Sequence, residues 1–285
     1  MNTIVKKLKD NYEIEISDYK EYKDGILFFV TGNYYLFVKC QYEEEYVQEI
    51  FRICRELRNR GVKLHDFVLS KDGKLIADAY ILFKVNVLSL EIDFKDVLYF
   101  SGLNCNQYKK DYVYMDKFWE DKIDYLEMQL SELSQNKLLN NSFDYYVGIA
   151  EILVDYLRRN YEKGREQICL SHRCLTCLDS LEYYNPLNIS FDLKYKDIAA
   201  YLRRSGDTNL ILEEIEKTVG TMDYIYFFVR MTFPFDYFHE LQEILVDGKS
   251  NENLIRIVNR VGEYEKYLGE MQKLFGIYVF SWIKQ

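Results

Sequence analysis

Residues 12–41 have the pattern of short strands. Segments 25–31 and 34–40 are rich in aromatic, Leu, Ile and Val residues, which is typical of strands that are buried in a sheet. Gly32 and Asn33 separate them, and both residue types favour a tight turn between antiparallel strands. The pattern predicts three short strands in this region, two of which form a hairpin.

The spacing of the apolar residues changes after Gln41. From Glu43 to Asn59 the apolar residues recur at helical spacing, and Gly61 supplies a stop signal. Strand character returns in 62–87, with a second turn signal at 71–74. The order of strands, one helix and further strands predicts a small antiparallel sheet that carries a helix.

The remainder of the chain has mainly helical periodicity. Ser142 precedes one of these apolar patterns in a position typical of a helix cap. The predicted helical segments are 116–136, 142–161, 197–205, 210–219, 224–245 and 251–282. We therefore predict an α+β protein with two lobes, a sheet-plus-helix lobe at residues 1–88 and a helical lobe at 89–285.

Composition limits the classes of partner. The chain has 285 residues, 48% hydrophobic and 29% charged, with a formal net charge of −9. Nucleic acid binding requires a basic face, so this balance argues against it. No apolar run is long enough for a membrane helix, and the first residues lack the pattern of a secretory signal. These features predict a cytoplasmic protein that does not bind a membrane.

The six cysteines are scattered along the chain, so we expect reduced thiols rather than a disulfide framework. Cys169, Cys174 and Cys177 lie near His172. A structural zinc site usually has two paired clusters of ligands, and only one Cys-x-x-Cys occurs here. The pattern therefore predicts no zinc.

The 27 tyrosines and two prolines are unusual for a chain of this length. Two interpretations stay open. The bias reflects the base composition of the genome, or it provides a tyrosine-rich surface for assembly.

Two charged residues in the predicted sheet lobe are typical of a nucleotide site. Lys39 is on a strand, and Glu49 is on the helix that follows, with Glu45 as a second choice. In kinases a strand lysine contacts the phosphates and a helix glutamate holds it. A strand lysine near an acidic helix is also common on a solvated surface. No glycine-rich loop precedes Lys39, since Gly32 stands alone.

A second group of candidates lies between residues 172 and 197. His172 follows apolar strand residues, and Asp192 follows another apolar run. A carboxylate there is suited to a metal ion, and Asn185 or Asn188 has an amide oxygen for a second ligand. Asp197 opens a predicted helix, where a carboxylate is favourable. The alternative for His172 is an ordinary hydrogen-bonded core histidine.

Two basic clusters flank this segment. Such clusters are usually solvated helix faces, but several cations in one cleft would favour an anionic ligand. The clusters are Arg158, Arg159, Lys163 and Arg165, then Arg203 and Arg204.

These segments together are similar to a known family. The chain resembles the CotS/YutH-type spore-coat-associated proteins, a branch of the aminoglycoside phosphotransferase and choline kinase-like superfamily. The resemblance covers most of the chain and is carried by FDYYVGIAEILVDYL (143–157), LSHRCL (170–175), YYNPLNISFDLKYKDIAAYLRRSG (183–206), YFFVRMTFPFDYF (226–238) and RVGEYEKYLGEM (260–271). It implies a two-lobed kinase-like fold with a nucleotide between the lobes.

The resemblance also implies site residues. Lys39 is similar to the phosphate-binding lysine and Glu49 to its helix partner. His172 resembles the histidine of the catalytic loop, Asp192 the magnesium-binding aspartate, and Asp197 the aspartate that braces the loop.

The chain departs from the family pattern HGDxxxxN. Here His172 is followed by Arg173 and Cys174, so Cys174 occupies the position of the catalytic aspartate, and Cys177 that of the metal-binding asparagine. Asn188 is the remaining candidate for that magnesium ligand. A general base contributes roughly 10²–10⁴-fold to rate, so its loss predicts low activity.

The resemblance therefore implies a pseudokinase that binds a partner, such as a protein of the forming spore coat, or a ligand. One alternative is an active phosphotransferase that uses ATP and magnesium on a small hydroxylated molecule or sugar. Another is a tyrosine-rich structural coat component. A nucleotide or a small anionic ligand is the expected small-molecule partner.

Overall fold

The computed structural model describes residues 3–111, 114–133, 137–164, 166–173, 175 and 178–283. The strands are β1 Lys20–Tyr22, β2 Gly25–Val30, β3 Asn33–Lys39, β4 Asp66–Val68, β5 Tyr80–Lys84, β6 Ile168–His172 and β7 Ile189–Leu193. The α-helices are α1 Thr3–Tyr12, α2 Glu44–Asn59, α3 Phe94–Gly102, α4 Met115–Leu133, α5 Lys137–Asn160, α6 Ser180–Tyr183, α7 Tyr195–Ser205, α8 Thr208–Thr218, α9 Met222–Thr232, α10 Phe235–Asp247, α11 Glu252–Asn259 and α12 Val261–Phe275. Short 3₁₀ helices lie at Asn106–Asp111 and Pro186–Asn188.

The chain divides into two compact units. The sheet unit comprises Met1–Phe100 and Leu170–Ser190, and the helical unit comprises Ser101–Cys169 and Phe191–Gln285. The predicted α+β class, with a small antiparallel sheet and a mainly helical remainder, is confirmed. The lobe boundary placed between residues 88 and 89 stays a prediction.

The sheet of the sheet unit is antiparallel, in the order β1-β2-β3-β5-β4. Side chains alternate between its two faces along β3. Leu36 and Val38 pack with Val47 of α2 on one face, whereas Phe37 packs with Leu8 of α1 on the other. Because both faces are covered, the hairpin reads as nearly continuous apolar sequence rather than as alternation.

Helix α1 was not predicted from the sequence. Its buried residues Val5 and Leu8 have helical spacing, but four charged residues surround them in a ten-residue segment. Tyr12 ends the helix and meets Phe37 edge-on, with ring centroids 5.7 Å apart. Burial raises the pKa of the Tyr12 hydroxyl to about 12. The segment thus forms part of the core, although its composition resembles that of a solvated arm.

The helical unit is built around α9, which packs against α5, α7, α8 and α12. Its interior is strongly aromatic. The largest fully buried side chains in this unit are Tyr195, Tyr226, Tyr237, Phe227, Phe228, Phe233 and Phe238. Many of the chain's tyrosines are therefore packing residues.

Three predicted helical segments differ from the structure. The segment 251–282 is two helices, α11 and α12, and the second ends at Phe275. Ser142 does not cap a helix, because α5 begins at Lys137 and the Ser142 hydroxyl donates to the Leu139 carbonyl inside it. The predicted helix 224–245 is two helices, α9 and α10, separated at Phe233 and Pro234. A proline has no N–H to donate and clashes with the preceding turn, which explains the break.

Within the described part of the chain, no helix combines the length and apolar character that a bilayer crossing requires.

Candidate functional site

Lys39 is the last residue of β3 and is exposed. Its antiparallel partner on β5 is Tyr80. Opposed residues share a face of a sheet, and Tyr80 stacks on Phe37 at 4.8 Å on the α1 face. Strand alternation therefore puts Lys39 on the α1 face, opposite to the face that α2 covers.

Glu49 lies on α2 and is exposed, as is Glu45. The residues of α2 that turn towards the sheet include Val47 and Ile50. Among the described residues no ion pair joins Lys39 to either glutamate. The structure thus does not bring the predicted lysine and its helix partner together, because the Lys39 side chain lies on the α1 face of the sheet and α2 covers the other face. Their roles in nucleotide binding stay predictions.

His172 ends β6 and is fully buried. Its Nε2 lies 2.7 Å from the carbonyl oxygen of Tyr183. The ring stacks on Phe100, with centroids 5.8 Å apart, and contacts the Tyr183 ring at 4.2 Å with the two planes inclined by 35°. A side chain held in this way positions the loop that follows it, as a hydrogen-bonded core histidine does.

Arg173, directly after His172, is held by aromatic residues of the sheet unit. Its guanidinium carbon lies 5.0 Å from the ring centre of Tyr42 and 4.7 Å from that of Tyr46, and it donates a hydrogen bond to the Tyr46 hydroxyl. Its backbone N–H donates to the carbonyl of Asn188 at 2.7 Å. The sequence reasoning missed this contact, because Tyr42 precedes α2 and Tyr46 lies in its first turn, so no helical spacing relates the two rings.

Cys174 and Cys177, the departures from the family loop, lie outside the described residues, as does Arg165. The roles inferred for the two cysteines stay predictions.

The two candidate asparagines lie around the second 3₁₀ helix. Asn185 caps it, because its side-chain oxygen accepts from the Leu187 N–H at 2.9 Å. The side-chain amide of Asn188 donates to the Glu182 carbonyl at 3.4 Å. The oxygen of Asn185 is therefore used within its own turn, and Asn188 is tied to α6.

Asp192 lies on β7 in the helical unit, and both of its carboxylate oxygens have partners. One oxygen accepts from the Tyr226 hydroxyl at 3.1 Å and from the Leu193 N–H at 2.7 Å. The other pairs with the Lys196 ammonium at 3.0 Å. The side chains of Asp192 and Lys196 are only 19% and 16% exposed, so this ion pair is largely shielded from water.

Tyr226 is a fixed donor to Asp192. Burial, and next the negative charge of Asp192, raise the pKa of the Tyr226 hydroxyl well above its ordinary value. The hydroxyl therefore keeps its proton at neutral pH and donates it. Lys196 follows Asp192 by four residues across the junction of β7 and α7, a spacing that the sequence reasoning did not use.

Asp197 lies in the first turn of α7 and is 2% exposed. A carboxylate in a first turn is favoured by the partial positive charge of the helix N-terminus. The prediction that Asp197 opens a helix agrees with this position. Its bracing role stays a prediction.

The fold implied by the sequence carries magnesium in its active members, so the residues around Asp192 can be tested for a fit to that ion. A magnesium site needs free oxygen ligands. Here a protein cation and a hydroxyl already occupy the carboxylate. Within the described ranges, no group of three or more His, Cys, Asp or Glu side chains is arranged to hold a metal. In this arrangement the residues do not fit magnesium.

Comparison with known families decides the membership of the chain. The family model described as "Spore coat putative kinase YutH" matches residues 5–271. The chain belongs to this family. No curated protein matches the sequence.

Comparison with solved structures identifies the fold of this YutH-family chain. An aminoglycoside phosphotransferase from Alicyclobacillus acidocaldarius superposes with a TM-score of 0.61, at 12% identity over 98% of this chain and 97% of that one. The spectinomycin phosphotransferase APH(9)-Ia, in complex with ADP and spectinomycin, gives 0.54 at 12% identity over 95% and 96%.

The amicoumacin kinase hAmiN, in complex with AMP-PNP, Ca²⁺ and amicoumacin, gives 0.51 at 13% identity over 95% and 92%. At these identities the likeness shows the fold alone. This YutH-family chain thus has the fold of the aminoglycoside phosphotransferases, as the resemblance implied.

Proposed function

We propose that this YutH-family protein is a catalytically degenerate kinase-fold protein, which acts by binding a partner or ligand rather than by transferring a phosphoryl group. The observation that carries the proposal is the ion pair between Asp192 and Lys196. In a working phosphotransferase the equivalent carboxylate holds the metal that neutralises the phosphates. Here a lysine of the same chain supplies the positive charge.

The partners of Asp192 make its carboxylate a poor metal ligand. A metal would have to displace a shielded ammonium, and the attraction between opposite charges strengthens as water is excluded. Displacing Lys196 would also break an ion pair whose two side chains are largely shielded from water, which is costly. The Tyr226 hydroxyl would also lose its acceptor inside the protein.

The sheet unit gives independent support. Lys39 belongs to the α1 face, whereas the proposed nucleotide role needs it beside a glutamate of α2. The sequence adds Cys174 in place of the catalytic aspartate. Each departure removes a different part of the phosphoryl-transfer machinery, so together they favour loss of the activity over its relocation.

The family description associates its members with the spore coat. We infer that this chain associates with the forming coat and that a coat protein is its macromolecular partner. The phosphotransferases of the same fold are described with nucleotides and antibiotics, which supports the alternative of an active enzyme on a small hydroxylated molecule. The Asp192–Lys196 pair weighs against that alternative.

The proposal is tested by calorimetric titration of magnesium, alone and with ATP, into the wild-type protein and the Lys196→Met variant. We expect magnesium to leave the ATP affinity of wild type nearly unchanged. Lys196→Met removes the competing ammonium and should raise magnesium affinity by roughly tenfold or more, given that hydrogen bonds to charged groups contribute about 1.5–3 kcal/mol.

Lys194→Met is the matched control. It removes the same charge two residues away, where the ammonium lies over the Tyr195 ring at 5.3 Å. Equal gains in the two variants would contradict a specific role for Lys196. Tight binding of Mg-ATP by wild type, with turnover that Asp192→Asn abolishes, would overturn the proposal in favour of the active phosphotransferase.

A further inference from the structure

The helical unit contains a cavity of about 280 Å³ that is separate from the surroundings of Asp192. Helices α5, α7, α10, α11 and α12 contribute to its wall, with Tyr146, Arg203, Tyr237, Arg260, Glu263 and Tyr264 among the lining residues. Lys196 and Arg203 lie in the first and last turns of α7, seven residues apart. That is roughly 10 Å of helix, so the cavity is a different site.

Aromatic rings form much of the wall. Tyr146 and Tyr237 stack with centroids 4.0 Å apart and planes inclined by 17°. The ring centroid of Tyr264 lies 5.9 Å from that of Tyr146 and 6.5 Å from that of Tyr267, with which it is stacked. Tyr146 and Tyr237 are almost fully buried, whereas Tyr264 and Tyr267 are partly exposed. The rings of Tyr264 and Tyr267 are therefore the aromatic surface that a planar ring of a ligand can contact in offset or edge-on geometry.

The hydroxyls of these tyrosines are bound to the protein. Tyr237 bonds to the Ser142 hydroxyl at 3.0 Å, Tyr264 donates to the Thr232 carbonyl at 2.7 Å, and Tyr267 donates to the Met231 carbonyl at 2.8 Å. The tyrosines therefore have fixed orientations, and the accessible ones, Tyr264 and Tyr267, offer ring surface rather than hydrogen bonds. Polar recognition must come from the charged residues.

Two opposite charges remain for that recognition. Arg203 already pairs with Asp236 at 3.4 Å and lies over the Phe235 ring at 5.1 Å. By contrast, Arg260 and Glu263, at the start of α12, are exposed and make no ion pair among the described residues. Residues three apart on a helix are neighbours, yet these two do not pair with each other. Both line the same cavity.

We propose that this cavity binds a free aromatic amino acid. The α-carboxylate would pair with Arg260, the α-ammonium with Glu263, and the ring would pack on the partly exposed rings of Tyr264 and Tyr267. An anion alone would be repelled by Glu263 and a cation alone by Arg260, so a zwitterion satisfies both. The volume is just below the usual range for ligand pockets, about 300–1,000 Å³, which suits a ligand of amino-acid size.

The test is calorimetric titration of L-phenylalanine and L-tryptophan into the full chain without nucleotide or metal. We expect binding of one molecule per chain. L-phenylalanine amide and N-acetyl-L-phenylalanine each lack one charge and should bind roughly tenfold more weakly or worse, since hydrogen bonds to charged groups contribute about 1.5–3 kcal/mol. L-leucine keeps both charges but lacks the ring, and it should also bind more weakly.

Arg260→Gln and Glu263→Gln should each weaken L-phenylalanine binding by about tenfold, for the same reason. Both positions are exposed, so neither change should unfold the protein. Lys266→Gln, on the exposed part of α12 outside the cavity, is the matched control and should bind as wild type does.

Three results would overturn the proposal. They are no binding by wild type, equal binding of the amide and the parent amino acid, and unchanged binding in Arg260→Gln. None of these results bears on the Asp192–Lys196 pair, so the two proposals fail independently.

Discussion

The candidate site residues of the two units have different electrostatic surroundings. In the sheet unit, Lys39 and Glu49 are exposed and make no ion pair among the described residues, and His172 is enclosed by aromatic rings. In the helical unit, Asp192 is largely buried and is bound to a lysine and a tyrosine. The sheet unit thus leaves its candidate charges in water, whereas the helical unit neutralises its candidate inside the protein.

This difference shows that the position of a residue on a strand or helix says little about the surroundings of its side chain. A charged residue at the end of a strand produced the prediction for both Lys39 and Asp192. The pleat of β3 then directs Lys39 to the α1 face, while the turn into α7 brings Lys196 onto Asp192. Similar sequence signals therefore lead to an exposed cation in one unit and a shielded ion pair in the other.

The largest expected effect concerns the protonation of His65, because the interior of the sheet unit disfavours a charged histidine. His65 is fully buried, its Nδ1 accepts from the Asn86 N–H at 3.4 Å, and burial lowers its pKa to about 4. The unfolded chain has a histidine pKa of about 6.5, so it binds more protons than the folded chain between pH 4 and 6.5. Stability should therefore fall as pH drops through this window, by up to about 3 kcal/mol.

Urea unfolding between pH 4 and 7.5 measures this loss. His65→Gln should remove most of the histidine-dependent slope, whereas His239→Gln, at an exposed position, should leave it unchanged. Identical slopes for wild type and His65→Gln would mean that the interior of the sheet unit tolerates the charge.

Much of the fold follows from the sequence because hydrophobic spacing reports burial directly. The β2–β3 hairpin, helix α2 and the helical character of the chain after Tyr195 were predicted from apolar periodicity. Helix α1 was not, since Val5 and Leu8 are hidden among lysines. The start of α5 was misplaced at Ser142, because a serine that bonds a preceding carbonyl inside a helix has the same sequence appearance as a cap.

The candidate site was less predictable, for a physical reason. Sequence patterns indicate which residue types could bind a nucleotide or a metal, and the resemblance selected Lys39 and Asp192 among them. What disables a site is a contact, such as that of Lys196 or Tyr226 with Asp192. Tyr226 is 34 residues away in the chain, so only tertiary packing shows that it meets Asp192.

One isosteric substitution in each unit tests whether the charge in the helical unit is shielded and the charge in the sheet unit is not. Asp192→Asn removes the charge that faces Lys196 and should lower the free energy of unfolding by about 1–3 kcal/mol, because an ion pair shielded from water is lost. Glu49→Gln removes an exposed charge that makes no ion pair with any described residue, and it should change the free energy of unfolding by less than about 0.5 kcal/mol. Urea unfolding of both variants at pH 7 measures the difference.

A larger loss of stability in Glu49→Gln than in Asp192→Asn would contradict this comparison of the two units. If Asp192→Asn stabilised the protein, the carboxylate would be a strained functional group kept at the expense of stability. That result would also favour the active phosphotransferase over the pseudokinase.

The smallest expected effect concerns Arg173, a loop cation that contacts aromatic rings of the sheet unit and has no counter-ion among the described residues. A cation over aromatic faces contributes about 0.5–1 kcal/mol at an exposed site. A double-mutant cycle of Arg173→Gln and Tyr46→Leu, read by urea unfolding, should therefore give a coupling energy in that range. Tyr34 is an exposed tyrosine on β3, and Tyr34→Leu should show no coupling to Arg173.

A coupling well above 1 kcal/mol would mean that the loop after His172 is bound to α2 as firmly as a buried ion pair. The sheet unit would then also neutralise charge by burial. A coupling of zero would leave the backbone bond from Arg173 to Asn188 as the main tie on this loop.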